Sequence, residues 1–429
     1  MKDIATYALD ALLKAGADKA SAIAAKGRKD EFNLEANKFS LLRTLFDDSL
    51  SLKAIMGGKK GVLKVNKLDR DSVDAAVADC ISLAKQSEPD DAEDIAPLVN
   101  NKNFDQRCGG ADLDKLFSRA QEFVEQTADE FPKIMLEGMQ AEFSSGSTVY
   151  LNSNGVEFSS ETEAYSYGPI FSAKEGEKSS SFNYCGALMR DLHTPFMDLG
   201  MTRQLLDESA RSLDTRVVEE KFVGKVIISP AEDFMIWVNL MYNFLLDHCL
   251  ISGISRWKDA LGTQVADPKL TFRLAPLHPL AIAGERFTED GFESSDVDII
   301  KNGILNSFAL SLYGANKTGK PRANNTSWNF EVEAGDQPLS DMIKNIDQGI
   351  LINRFSGAMP GPSGDVSGVA KNSFLIKNGQ ITDPLSETTI SYNLLDTLKN
   401  IPAISKERIT NGQSIIPWIS LDGITISGA

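Results

Sequence analysis

Two Asn-Gly pairs set between β-prone runs constrain this chain more than any other local feature. The first lies in Asp298-Ile299-Ile300-Lys301-Asn302-Gly303-Ile304-Leu305, the second in Phe374-Leu375-Ile376-Lys377-Asn378-Gly379-Gln380-Ile381. Asn-Gly readily takes the two positive φ values that a type I′ turn demands, so each stretch predicts a tight hairpin. The flanking apolar residues require burial, so the hairpins belong to a sizeable sheet with a covered face. A third pair, Asn154-Gly155, follows the β-prone run Thr148-Val149-Tyr150-Leu151 and predicts another hairpin.

The chain's 429 residues are enough for two or three domains. A net charge of −16 and the absence of any long basic run disfavour nucleic acid as a partner. No stretch approaches the length of a membrane span, and the first residues carry an early acid and no apolar core of a signal peptide. Cys80, Cys108, Cys185 and Cys249 form no CxxC motif, a pattern suited to a reducing cytoplasm. A cytoplasmic protein is therefore expected, with no membrane partner.

Residues 3–15 carry helical periodicity, with Ile4, Tyr7, Ala8, Ala11 and Leu12 on one face. Short strands are predicted over 20–28, 30–35, 49–56 and 61–65, then a helix over 71–86 that places Cys80 in a core. An acidic, Pro- and Gly-bearing linker precedes a helix near Asp112, long strands from 134 to 189 and a further helix over 198–215. A strand at 223–228 leads into Ser229-Pro230-Ala231-Glu232, where Ser at N-cap, Pro at N1 and Glu at N3 announce a helix. This helix is expected to run to about Leu246. Phe234, Trp237, Val238, Met241 and Leu245 line one side and Ile236, Leu240 and Phe244 widen it, so it should be buried. The fold class is α+β. A mixed helix and antiparallel-sheet region comes first, read as a domain over 1–110 and a helix and long-strand region over 111–220. A larger β-rich domain over 221–429 contains the buried helix.

The second hairpin runs into Asp383-Pro384-Leu385-Ser386-Glu387-Thr388-Thr389-Ile390-Ser391-Tyr392-Asn393-Leu394-Leu395-Asp396. This run resembles the C-terminal signature of the TldD/PmbA family, also called modulators of DNA gyrase, which is built around a zinc peptidase. In the TldD branch the buried helix carries HExxxH, and a cysteine near the C-terminus completes the zinc site. Two imidazoles and a third ligand leave one position for water, and the Glu serves as base. This chain has only His193, His248 and His278, with no two in one helix, and no cysteine after Cys249. Gly253-Ile254-Ser255-Arg256-Trp257 resembles the segment after the metal helix. That register puts Val238 and Asn243 where the histidines would be and Asn239 where the base would be. Asn411-Gly412-Gln413 resembles the residues after the cysteine and puts Arg408 in its place. The pattern resembles the PmbA (TldE) branch, which lacks the metal site.

The resemblance implies the non-metal subunit of a two-subunit peptidase acting on peptides or unfolded segments. No cofactor is expected in this chain, zinc being carried by a TldD-like, HExxxH-bearing paralogue. The partner is that paralogue in a heterodimer, or a second copy when the chain is isolated. Tyr242, Asn325, Arg354 and Asp365 are candidates for a peptide channel. Arg354 and Asp365 flank a loop rich in Gly, Pro and Ser and can instead pair with each other. The stretch 324–332 ends in a strand that can stay paired in its sheet or accept an extended peptide at an edge. His248-Cys249 reads as a helix-end pair and His278 as part of a proline-fixed loop. Two alternatives remain: a stand-alone hydrolase of another mechanism, and a non-enzymatic modulator of gyrase or of a toxin–antitoxin pair.

Overall fold

The computed structural model describes residues 1–99, 101–232, 234–357, 361–386 and 388–428. Ala358, Met359 and Pro360 of the Gly-rich loop, Glu387 of the signature run and the side chain of Phe234 lie outside them. The fold is α+β, built on two sheets.

The first sheet comprises β1 (Lys19–Glu35), β2 (Lys38–Met56), β3 (Lys59–Val65), β4 (Lys102–Gln106), β5 (Ile134–Asn152), β6 (Glu157–Glu175), β7 (Lys178–Ser179), β8 (Asn183–Tyr184) and β9 (Ala187–Met189). Its main order is β3-β2-β1-β5-β6-β4, antiparallel except for β4 against β6. The sheet therefore draws strands from both 1–110 and 111–220. Period-2 alternation sends Ala20, Ala22 and Ala24 of β1 under the helices Lys2–Lys14 and Arg70–Gln86. Phe32 and Leu34, of the same parity further along, pack with Leu116, Ala120 and Phe123 of the helix Leu113–Glu130. Asp112 caps that helix by accepting the Lys115 N–H at 2.9 Å. Cys80 is buried, and burial pushes its thiol up to about 11.

The pattern broke β1 at Lys29 and assigned no strand to 36–48, yet β1 and β2 pair continuously there. Residues 38–47 are exposed on both faces of β2, so no burial alternation marks them in the sequence.

The second sheet comprises β10 (Phe222–Ile228), β11 (Phe272–Leu274), β12 (Val297–Lys301), β13 (Ile304–Leu305), β14 (Phe330–Val332), β15 (Gln348–Gly357), β16 (Asp365–Lys377), β17 (Gln380–Leu385), β18 (Thr388–Asn393), β19 (Ala403–Thr410) and β20 (Ile415–Ser427). Pairings β10–β15, β15–β16, β16–β18, β18–β20 and β20–β10 close a ring, so this part of the sheet is a barrel. Val226, Ile228, Ile350 and Ile352 face the core that holds the helix after β10. Ile227 and Leu351 face the other way, into the core shared with the first sheet. Burial on both sides explains the unbroken apolar runs of β10 and β15.

Both late Asn-Gly pairs make the predicted turns, with φ of 49° and 79° at Asn302 and Gly303, and 50° and 74° at Asn378 and Gly379. At the third pair only Gly155 has positive φ, because Asn152 Oδ1 accepts the backbone N–H groups of Asn154 and Val156 and fixes another turn. At Gly303 a Cβ would lie 2.3 Å from the Ala266 carbonyl oxygen, whereas Gly262, with the same φ, faces open space. Gly262→Ala should cost about 1 kcal/mol for the left-handed backbone alone. Gly303→Ala should cost about 1–3 kcal/mol more, because the backbone must shift. Paired urea denaturation curves measure the difference, and equal losses would contradict it.

Candidate functional site

The helix after β10 forms, but not as a regular α-helix. Residues 234–238 and 241–245 are π-helical, joined through Asn239 and Leu240, and a short α-helix, Asp247–Ile251, follows. Met235, Ile236, Trp237, Leu240, Met241, Phe244 and Leu245 are all essentially inaccessible, as an all-round apolar pattern requires. The expected capping box is replaced. Glu232 does not reach back to the Ser229 N–H, which is donated to the Ile352 carbonyl at 3.0 Å. Its carboxylate instead accepts the Met235 N–H at 3.1 Å and the Phe355 N–H at 2.8 Å, tying the helix start to β15.

The four positions that the resemblance aligns with a zinc motif carry the wrong chemistry for a metal. Val238 is a partly buried hydrocarbon. Asn239 is wholly buried; its Nδ2 donates to the Met235 carbonyl at 3.4 Å, and its Oδ1 has no partner. Asn243 Nδ2 donates to the Asn239 carbonyl at 3.2 Å. Arg408, on β19, is paired with Glu331 at 3.0 Å and also donates to the Val332 carbonyl. A hydrocarbon, two amides and a guanidinium do not make a zinc donor set. Among the described residues no group of three or more His, Cys, Asp or Glu is arranged to hold a metal ion. Among the described residues no hydrogen bond, ion pair or ring contact joins one histidine to another. His193 sits beside Asp191, and His278 lies 4.0 Å from Glu331 while its Nδ1 accepts the Leu280 N–H. His248 lies 6.1 Å from the Tyr242 ring. Cys249 is buried, and its thiol donates to the Leu246 carbonyl at 3.0 Å.

The channel candidates fall in different places. Tyr242 is 42% exposed and packs 5.6 Å from Trp328. Asn325 is wholly enclosed, donating to the Leu274 and Ser295 carbonyls at 3.1 and 2.8 Å. Asp365 lies on the surface and accepts from Asn393 at 2.9 Å. Arg354 and Asp365 do not pair: the guanidinium donates to the carbonyls of Ala231, Asn353 and Tyr184. The strand that ends the stretch 324–332 is β14, and it lies between β11 and β20. The paired alternative therefore holds, and this strand offers no edge to a peptide.

Arg354 also lines a cavity of about 380 Å³ between the first sheet and the barrel. Tyr167, Tyr184 and Cys185 form one side, Pro230 and Ala231 another, and Asn411 and Gln413 of the β19–β20 turn a third. Tyr184 stacks 3.9 Å from the guanidinium. Burial pushes the Cys185 thiol and the Tyr167 hydroxyl up, so neither is an activated nucleophile. No local signal marks this wall in the sequence, because its residues come from distant segments.

Behind Arg354, Asn353 Nδ2 donates to Glu208 at 2.6 Å. Burial pushes the Glu208 carboxyl up to about 7, against the hydrogen bonds from Gln204 and Asn353 that favour its charged form.

The architecture is a barrel with a buried helix beside a second, mostly antiparallel sheet. Residues 224–428 match the family model described as the PmbA/TldA metallopeptidase C-terminal domain. Over its whole length the chain is 25% identical to a metalloprotease PmbA homolog of Haemophilus influenzae, spanning 96% of it. It is 24% identical to metalloprotease PmbA of Escherichia coli O157:H7, over 88% of this chain and 86% of that one. The fold also matches TldE of Thermococcus kodakarensis, with a TM-score of 0.84, 18% identity and full coverage of both chains. A candidate modulator of DNA gyrase from Bacteroides thetaiotaomicron superposes with a TM-score of 0.86 at 23% identity, over 100% of this chain and 99% of that one. Residues 224–428 are thus a PmbA/TldD-type metallopeptidase C-terminal domain, and the chain as a whole is similar to PmbA homologues.

Two outcomes test these assignments. Asn239→Leu removes a buried amide oxygen that has no partner, so stability should hold or rise by about 1 kcal/mol. A loss above about 2 kcal/mol in denaturant titration would reveal a partner. A raised carboxyl pKa means that Glu208 stabilises the fold fully below about pH 4.5 and loses that contribution as pH rises through about 7. Glu208→Gln should flatten this loss and leave the variant more stable at pH 8, by up to about 3 kcal/mol. Parallel pH profiles for the two proteins would sink the assignment.

Proposed function

We propose that this chain is the non-catalytic subunit of a two-subunit metallopeptidase acting on peptides or unfolded segments. The observation that carries this reading is the set of side chains at three positions of the helix after β10 and one position of β19. Val238, Asn239, Asn243 and Arg408 occupy the positions where zinc, its base and its third ligand are expected, within a fold shared with metalloproteases. The partner, an HExxxH-bearing paralogue, supplies metal, water and base. This chain encloses the substrate, positions it and excludes water.

The far end of the first sheet supports a second subunit. From Lys38 to Ser49 the outer side of β2 has no neighbouring strand among the described residues, since β3 joins only from Leu50 onward. Leu42 and Phe46 there are 64% and 70% exposed, with Phe39, Leu41 and Leu45 also uncovered. An apolar edge of this length is a template for another strand. Laid antiparallel on its own copy, the strand can set Lys38 opposite Asp47 and Phe39 opposite Phe46, a matched charge pair and an aromatic pair. A paralogue with a similar edge pairs in the same way, and the isolated chain forms a homodimer.

Co-purification with the paralogue and a peptide-hydrolysis assay test the proposal. The mixed pair should cleave, and this chain alone should neither cleave nor retain stoichiometric zinc after dialysis. Equal cleavage by the paralogue alone would remove this chain from the reaction, and stoichiometric zinc here would defeat the non-catalytic reading.

A further inference from the structure

Arg354 is the unusual group in the cavity wall. It is 6% exposed, and no carboxylate lies within ion-pair distance of it among the described residues. Arginine has five N–H donors. Nη1 donates to the Ala231 and Asn353 carbonyls and Nη2 to the Tyr184 carbonyl. Nε is enclosed and has no acceptor. The nearby Glu232 carboxylate is engaged by the Met235 and Phe355 backbone N–H groups. A buried cation that no anion balances is costly, and a fold that keeps one beside a cavity gives that cavity a positive potential.

The other walls suit a ligand with one charged end. Asn411 and Gln413 are exposed amides on a turn that lines the cavity, while Leu188, Met201, Leu205 and Ile409 supply apolar surface. Tyr184, about half exposed, stacks over the guanidinium. The three carbonyl bonds leave the Nε hydrogen and one Nη2 hydrogen unused, and these lie in the guanidinium plane rather than under the ring. Two parallel N–H donors match the two oxygens of a carboxylate.

We infer that this cavity is a binding site for a carboxylate, held by Arg354 with its apolar portion against Leu188, Met201 and Leu205. The carboxylate is the C-terminus of a peptide or that of a small organic acid, and the chemistry at Arg354 is the same for both. The inference goes beyond the subunit reading and is measured by binding to this chain alone, so a failed hydrolysis assay leaves it standing.

Calorimetric titration and thermal shift with N-acetyl-dialanine as free acid and as C-terminal amide provide the test. The acid should bind about tenfold tighter than the amide, the value of one charged hydrogen-bonded group. Gln413→Glu puts a second carboxylate at the exposed rim and should weaken the acid about fivefold while leaving the amide unchanged. Arg354→Gln should erase the preference for acid over amide. If that buried substitution prevents folding, the Gln413→Glu comparison still decides. Acetate binding as tightly as the free acid would assign the site to small organic acids, and weaker acetate binding would assign it to peptide ends. Equal binding of acid and amide, or no binding of either at millimolar concentration, would overturn the inference.

Discussion

The barrel wall is what the rest of the molecule depends on. β10 and β15 lie parallel with apolar side chains on both faces, and each face closes a different core. Val226, Ile228, Ile350 and Ile352 seal the compartment around the π-helical segment. Ile227 and Leu351, with Phe374 and Trp418, seal the junction with the first sheet. One strand pair therefore fixes both the helix that would carry a metal site and the seam where the Arg354 cavity opens. A substitution there is felt twice, because no relaxation on one side leaves the other undisturbed.

The π-helical form of that segment bears on the proposed absence of zinc chemistry. HExxxH works by placing side chains at fixed helical spacing on one face. Here Asn239 and Asn243 each return a hydrogen bond to a main-chain carbonyl four residues back. Their amides are spent on the helix itself. At the third position the charge is reversed, since Arg408 answers the buried Glu331 beside Arg273. Asn239, Asn243 and Arg408 are thus each bonded into the scaffold.

Elements set by local apolar spacing or by turn chemistry were legible in the sequence. The first helix, the late Asn-Gly turns, the all-round apolar helix and the cored Cys80 belong to this group, because local spacing and turn chemistry decide them. The β1–β2 ribbon was not, because side chains exposed on both faces leave no alternation to read. The capping of the helix after β10 misled for a different reason. Ser229 does begin the turn, but its N–H was already claimed by β15, a partner more than a hundred residues away. Among the site candidates, Arg354 was named as channel or ion pair. The carbonyls of Ala231 and Tyr184 that hold it are set by tertiary approach alone, and so are the cavity walls.

The exposed edge of β2 and the molecule's net charge of −16 act at different ranges. Repulsion between two copies extends over a Debye length, about 8 Å at physiological ionic strength, while strand pairing acts only at contact. The ribbon is thus shielded by the acidity of the whole chain until another surface offers opposite charge or salt collapses the barrier. Encounter with an identical copy is slow at low salt and speeds up as salt is added. Encounter with a less acidic subunit carries no such delay. Composition, which says nothing about the fold, sets which partner reaches this edge first.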